Sequence, residues 1–138
     1  MVDSHNNLGT LFKEQGKIDA AIAEYQKAID LDPKYALPHN NLGVIFKEQD
    51  KIDAAIAEYQ KAIDLDPKFA MPHANLGDIY KRRGEPEKAI SEFTRAVALD
   101  PKSWASDELK ALLKTDAKAT EVNGIAPDSI ITKQAPRQ

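Results

Sequence analysis

The chain has 138 residues, of which 42% are hydrophobic and 30% are charged, with a formal net charge of −3 and no cysteine. This composition can bury a core, but it excludes disulfides and thiolate chemistry and gives no support for a nucleic-acid partner. The sequence shows no apolar run with the length of a membrane span or a signal peptide. We therefore expect a cytoplasmic protein without a membrane partner.

Three consecutive blocks of 34 residues make up most of the chain. The blocks at 2–35 and 36–69 agree at 27 positions, and a more divergent block at 70–103 follows in the same register. A fixed period of this length is typical of a repeat architecture, in which each unit buries its apolar face against the next.

Apolar residues at helical spacing predict two helices in each block. The first helix opens at Val2 and ends at Gly16, because glycine takes left-handed backbone angles at little cost. The other predicted helices cover 18–31, 36–49, 52–65, 70–83 and 86–99. Asp50 stands where the other blocks have the turn glycine, and we expect it to adopt the same backbone region less favourably.

A further amphipathic helix is predicted at 103–114, with 104–114 as a capping segment for the last helix pair. Its apolar stripe consists of Trp104, Ala105, Leu109, Leu112 and Leu113. From residue 115 to 138 the pattern stops, and we expect a disordered or loosely packed tail. The first helix has no comparable cap. That feature is consistent with a fragment of a longer array or with self-association through the first helix or exchanged tails.

The blocks resemble tetratricopeptide repeats. The matching positions are Leu8, Gly9, Phe12, Gly16, Ala21, Tyr25, Ala28 and Pro33 in the first block, with their counterparts in the next two. The resemblance implies an all-α fold, a right-handed α-solenoid of three helix–turn–helix repeats plus a C-terminal capping helix. Gly9 and Ala21 would let the paired helices come close, while Phe12 and Tyr25 would fill the space between layers.

Three histidines occupy one repeated position, His5, His39 and His73, where this family commonly has tryptophan. Equivalent positions on successive repeats lie at least one helix layer apart, about 8–10 Å, so we expect a row of packed side chains and no shared metal ion. We find no phosphate loop, nucleophile elbow or zinc motif. The sequence therefore predicts neither an enzyme nor a bound cofactor.

In this family the first helix of each repeat lines a concave groove, and the resemblance places twelve candidate peptide-binding residues there. They are Asn6, Asn7, Thr10, Lys13, Asn40, Asn41, Val44, Lys47, Asn75, Asp78, Lys81 and Arg82. The column formed by Asn7, Asn41 and Asn75 could hold a peptide backbone, because an amide side chain offers donors and an acceptor. The alternative is that these asparagines bond only to solvent or to neighbouring helix ends.

The asparagine column resembles the repeat region of O-linked N-acetylglucosamine transferases, in which an asparagine ladder binds polypeptides. This resemblance concerns the repeats alone and implies no catalysis. The predicted function is thus a protein–protein interaction module that binds an extended peptide of a partner. The alternatives are a self-associating structural scaffold and the substrate-recognition part of a larger, glycosyltransferase-like protein.

Co-chaperones of the family clamp a C-terminal carboxylate with two lysines, an arginine and two asparagines. The corresponding positions here are Asn6, Thr10, Asn41, Met71 and Asn75. Asn41 alone matches, so we do not expect that clamp. A basic row consists of Lys13, Lys47, Lys81 and Arg82, with Glu14 and Glu48 beside it. It is either a solvated groove rim or a stripe that favours acidic peptides.

Overall fold

The structure, a computed structural model, describes the backbone of residues 2–122 and the side chains of residues 2–115. This part of the chain is all-α. The helices are α1 (Val2–Glu14), α2 (Ile18–Leu31), α3 (Ala36–Glu48), α4 (Ile52–Leu65), α5 (Ala70–Arg82), α6 (Pro86–Leu99) and α7 (Ala105–Val122). The predicted fold class is confirmed. None of these helices is both long and apolar enough to cross a membrane.

Short turns join the helices into three successive pairs, α1–α2, α3–α4 and α5–α6. Gly16 and Gly84 take φ angles of 79° and 76° in two of these turns, and Asp50 takes a φ of 62° in the third. The predicted backbone region of Asp50 is therefore confirmed, since Asp50 adopts the left-handed region that glycine takes in the other two turns.

A glycine allows the two helices of each pair to approach closely. A Cβ added at Gly9 would lie 2.7 Å from Cδ1 of Tyr25, and one at Gly43 would lie 2.5 Å from Cε1 of Tyr59. In the third pair, Gly77 meets the ring of Phe93 in the same way. The aromatic rings thus pack directly on the backbone of the first helix.

Successive pairs share apolar clusters, which join them into one solenoid. Ala21 and Tyr25 of the first pair form a cluster with Leu42 and Ile45 of the second, and Phe12 packs against it. The equivalent cluster one repeat later contains Ala55, Tyr59, Leu76 and Ile79. Each pair therefore completes its core only with its neighbour, as expected for a repeat protein.

Helix α7 packs against α6 and covers the last pair. Ala105 is buried in a cluster with Ala89 and Phe93, and the ring of Trp104 meets that of Phe93 edge-on at 6.0 Å. The helix runs to Val122, eight residues beyond the predicted end at 114. Residues 123–138 of the predicted tail lie outside the described residues.

Candidate peptide-binding surface

The twelve predicted binding residues all lie on α1, α3 and α5, the first helices of the three pairs. These helices are neighbours, with α3 in contact with both α1 and α5. The family resemblance predicts that their common surface is the concave face. The structure shows that many of its polar side chains bond to one another across the repeats.

Asparagines connect the first helices of successive pairs. Asn41 donates from Nδ2 to Oδ1 of Asn6 at 3.0 Å, and Asn75 donates from Nδ2 to Oδ1 of Asn40 at 3.1 Å. Asn41 and Asn75 thus bond to the first helix of the preceding repeat. These bonds give four of the asparagines, Asn6, Asn40, Asn41 and Asn75, a structural reason to recur, because each has a partner about one repeat away.

The exposure of the asparagines differs from the prediction at three positions. Asn6 and Asn40 are buried between layers, with Asn40 completely inaccessible, so neither lines the open surface. In the other column, Asn7 is exposed, Asn41 is half-buried and Asn75 is buried. A row of three free amides is therefore not present, since each later asparagine bonds to the preceding repeat.

Lysines of the predicted basic row pair with carboxylates one layer further along. Lys13 lies 3.5 Å from Glu48, and Lys47 lies 3.4 Å from Asp78. Lys81 pairs with Glu108 on α7 in the same manner. The sequence pattern places Glu48 beside this row and Asp78 on the same surface, but it does not predict which lysine pairs with which carboxylate. The lysines are therefore partly neutralised.

Arg82, at the end of the row, lies 3.1 Å from Asp78 through its Nε, while its side chain remains 69% exposed. Asp78 Oδ2 consequently forms ion pairs with two cations, Lys47 and Arg82. A cavity of about 220 Å³ adjoins both cations and is also lined by Asp50, Ile52, Ile79 and Arg83. This end of the surface is its most accessible cationic region.

A hydroxyl pair in the first repeat has no counterpart in the second. Thr10 Oγ1 lies 2.9 Å from the hydroxyl of Tyr25 and donates to the carbonyl of Asn6 at 3.2 Å. One repeat later, Val44 replaces the threonine, and the buried hydroxyl of Tyr59 has no hydrogen-bond partner within residues 2–115. Burial and the nearby carboxylate of Asp78 raise the pKa of Tyr59.

Each histidine of the repeated row contacts a glutamate on the second helix of its own pair. The distances from His Nδ1 to Glu Oε1 are 2.6 Å for His5 and Glu24, 2.7 Å for His39 and Glu58, and 2.8 Å for His73 and Glu92. The glutamates recur every 34 residues, 19 positions after the histidines, and this spacing was a usable signal in the sequence.

These contacts change the ionisation of two glutamates. The hydrogen bond from His5, helped by Lys27, lowers the pKa of Glu24. Burial pushes the pKa of Glu58 upward, but the hydrogen bond from His39 and the charge of Lys61 outweigh it and leave that pKa lowered. Within the described residues, no three His, Asp or Glu side chains converge in a way that could hold a metal ion.

Solved structures of similar shape are tetratricopeptide domains. The first TPR of Spaghetti (RPAP3), bound to the HSP90 peptide SRMEEVD, has a TM-score of 0.74 at 23% sequence identity, over 84% of this chain and 93% of that one. The first TPR domain of the human RPAP3 protein has a TM-score of 0.75 at 24% identity, over 89% of this chain and 96% of that one. At these identities the likeness concerns the fold.

Comparison with family models agrees with the fold. Residues 9–50 and 45–84 match a model described as TPR repeat, and residues 70–103 match one described as tetratricopeptide repeat. A sequence comparison with curated proteins finds no match. The family matches together extend over residues 9–103, more than half of the chain. The chain therefore belongs to the tetratricopeptide repeat family.

Proposed function

We propose that this protein is an interaction module whose surface on α1, α3 and α5 binds an extended segment of a partner polypeptide. Membership of the family supports this function, because solenoid repeats form long concave surfaces suited to extended ligands. The observation that carries the proposal is the peptide SRMEEVD bound to a tetratricopeptide domain of the same shape.

Asn41 is the central contact of the proposed site. It uses one N–H group in its bond to Asn6 and is half-buried, which leaves a second N–H group and a carbonyl oxygen for a ligand. Asn7 is exposed and offers the same groups one repeat earlier. A peptide backbone needs this combination of donor and acceptor, so the contact does not depend on the ligand's side chains.

Charge would set the direction in which the peptide lies. The exposed guanidinium of Arg82 and the cavity beside it lie at the α5 end, whereas the amides of Asn7 and Asn41 lie toward α1. Arginine can bind a carboxylate through two parallel hydrogen bonds. We therefore expect an extended peptide with an acidic side chain near Arg82, although the paired lysines add little to that preference.

A peptide array tests the proposal, with SRMEEVD, its uncharged version SRMQQVD and neutral extended peptides as probes. Asn41→Ala should reduce the binding of every retained peptide, because it removes a backbone contact. Arg82→Ala should reduce the binding of the acidic peptides alone. We expect losses of roughly tenfold, about the effect of one well-placed hydrogen bond to a bound ligand.

Asn6→Ala is the matched control for Asn41→Ala. Both substitutions remove the same hydrogen bond between α1 and α3, but Asn6 is buried and cannot reach a ligand. A larger loss of affinity for Asn41→Ala than for Asn6→Ala supports the site. Equal losses would show that Asn41 acts only through packing, and the absence of any retained peptide would contradict the function itself.

A further inference from the structure

Helix α1 exposes an apolar pair that the later repeats bury. Leu8 and Leu11 are 37% and 48% exposed. The residues one repeat later, Leu42 and Ile45, are only 3% and 1% exposed. Helices α1 and α3 are otherwise similar in sequence, so the difference arises because α3 has a preceding helix pair to pack against and α1 has none in the structure.

The chain itself shows which kind of surface covers such a pair. Leu42 and Ile45 pack on Ala21 and Tyr25 of α2. The pair in α5 packs on alanine and tyrosine of α4 in the same way. The complementary surface is thus a helix with a small residue followed four positions later by an aromatic ring, and α6 carries a third example in Ala89 and Phe93.

Helix α7 occupies this third surface, but less completely than a repeat helix would. Leu109 and Leu112 have the same three-residue spacing as Leu8 and Leu11, and they pack against the cluster of α6 while remaining half-buried. Helices α3 and α5 bury seven residues each. Within residues 105–115 of α7, Ala105 alone is buried. Helix α7 therefore covers this surface with fewer fully buried side chains than α3 and α5 have.

We propose that α1 of one molecule competes with α7 for the α6 surface of a second molecule, so that α7 restrains head-to-tail self-association. Release of α7 exposes Ala89 and Phe93, and Leu8 and Leu11 of the second molecule then pack there as Leu42 and Ile45 pack on α2. Because the contact joins two different surfaces, each added molecule leaves both surfaces available at the ends, and the assembly grows as an open chain.

The polar residues around the proposed contact between two molecules are partly complementary. Glu14 of the incoming helix occupies the position of Glu48, and it would meet Lys81 as Glu48 meets Lys13. Asn7, in contrast, would face Ala74, which has no acceptor of the kind that Asn6 and Asn40 supply to their partners. The intermolecular contact is consequently weaker than the contacts between repeats, and α7 holds the surface at low protein concentration.

Light scattering of the full chain across a concentration series tests this competition. Leu109→Asp with Leu112→Asp should release α7 and raise the average molar mass at least about twofold above 15.3 kDa, with further growth at higher concentration. Adding Leu8→Asp with Leu11→Asp to that variant should return it to a monomer. Leu113→Asp is the matched control, because this residue is exposed on α7.

Two results would overturn the proposal. A released variant with native helicity by circular dichroism that stays monomeric shows that α1 does not bind α6. Assembly that persists after the substitutions at Leu8 and Leu11 assigns the contact to a different surface.

A second measurement applies if the released variant does not fold. Trp104 is the single tryptophan; it directly precedes α7, and its ring, 48% exposed, lies edge-on against Phe93 of α6. The tryptophan fluorescence of the wild-type chain should change when a Trp104→Phe chain is added to it. The fluorescence should not change when the added chain carries Leu8→Asp and Leu11→Asp as well as Trp104→Phe. Equal responses to both chains, or no response to either, would contradict the competition.

Discussion

The tyrosine hydroxyl is hydrogen-bonded in the first repeat but not in the second, because one side chain differs between the two repeats. Thr10 donates to the carbonyl of Asn6, so the hydroxyl of Tyr25 must donate to Thr10. Val44 removes that acceptor from Tyr59, whose hydroxyl is buried without a partner in the described part of the chain. A buried polar group in this condition lowers stability, because it loses its water and gains nothing in return.

We predict that Val44→Thr stabilises the protein by about 1 kcal/mol, the typical net value of a hydrogen bond, because it restores the arrangement of the first repeat. Urea unfolding monitors the change. The same substitution in a Tyr59→Phe background should give no such gain, because the hydroxyl is then absent. Tyr25→Phe should destabilise by a similar amount. An equal effect of Val44→Thr with and without the Tyr59 hydroxyl would contradict the assignment.

At the scale of the element, the turns within the three pairs share one backbone geometry but differ in sequence. Gly16 and Gly84 tolerate a positive φ without a steric penalty, whereas Asp50 places its Cβ in a crowded position. The second turn is therefore the most strained of the three.

We predict that Asp50→Gly stabilises the protein by roughly 0.5–1 kcal/mol, the relief of strain being partly offset by the greater flexibility of glycine in the unfolded chain. Gly16→Asp should have the opposite effect. Thermal unfolding measures both. Asp50→Asn is the control for charge, since asparagine tolerates the same backbone region. A loss of stability in Asp50→Gly would show that the carboxylate makes a compensating contact.

The sequence predicted the helices well because periodic apolar residues, glycines and prolines act locally. The second helices of all three pairs have the predicted bounds, and the first helices of the later pairs end one residue early. The end of α7 was missed because residues 115–122, such as Ala117 and Glu121, favour a helix without continuing the apolar stripe. An amphipathic pattern cannot detect a helix that continues on propensity alone.

The candidate site was less predictable, because its polar contacts join residues about one repeat apart. The position of Asn41 on the first helix followed from the family pattern, but its bond to Asn6 depends on how two layers pack. The pairing of Lys47 with Asp78 has the same origin. Repetition in a sequence therefore identifies which residues matter without distinguishing a contact between repeats from a contact with a ligand.

At the scale of the whole molecule, polar contacts accompany the apolar core from one layer to the next. Asparagine pairs and lysine–carboxylate pairs link the first helices, while the histidine–glutamate pairs lie within each helix pair. Stability of a solenoid is approximately a sum of the terms within repeats and the terms between neighbouring repeats. When the same contact is changed in successive repeats, the effects on stability therefore add up.

Acid should weaken this protein through the histidine–glutamate pairs. The pKa values of Glu24 and Glu58 are lowered in the folded state, relative to an ordinary value of about 4.5. As pH falls, the unfolded chain takes up these protons before the folded chain does, which favours unfolding. The stabilisation is fully present above the ordinary pKa of glutamate and is lost as pH falls through the lower folded-state values.

Urea unfolding between pH 7 and about pH 3 measures this dependence, because the slope of stability against pH reports the difference in bound protons. We predict that Glu58→Gln lowers stability at pH 7, since His39 and Lys61 lose a charged partner, and that it makes the acid-induced decline shallower than in the wild-type chain. Glu87→Gln, which removes an exposed carboxylate outside the described ion pairs, is the matched control. An equally steep decline in Glu58→Gln and the wild type would exclude the second histidine–glutamate pair as a source of acid sensitivity.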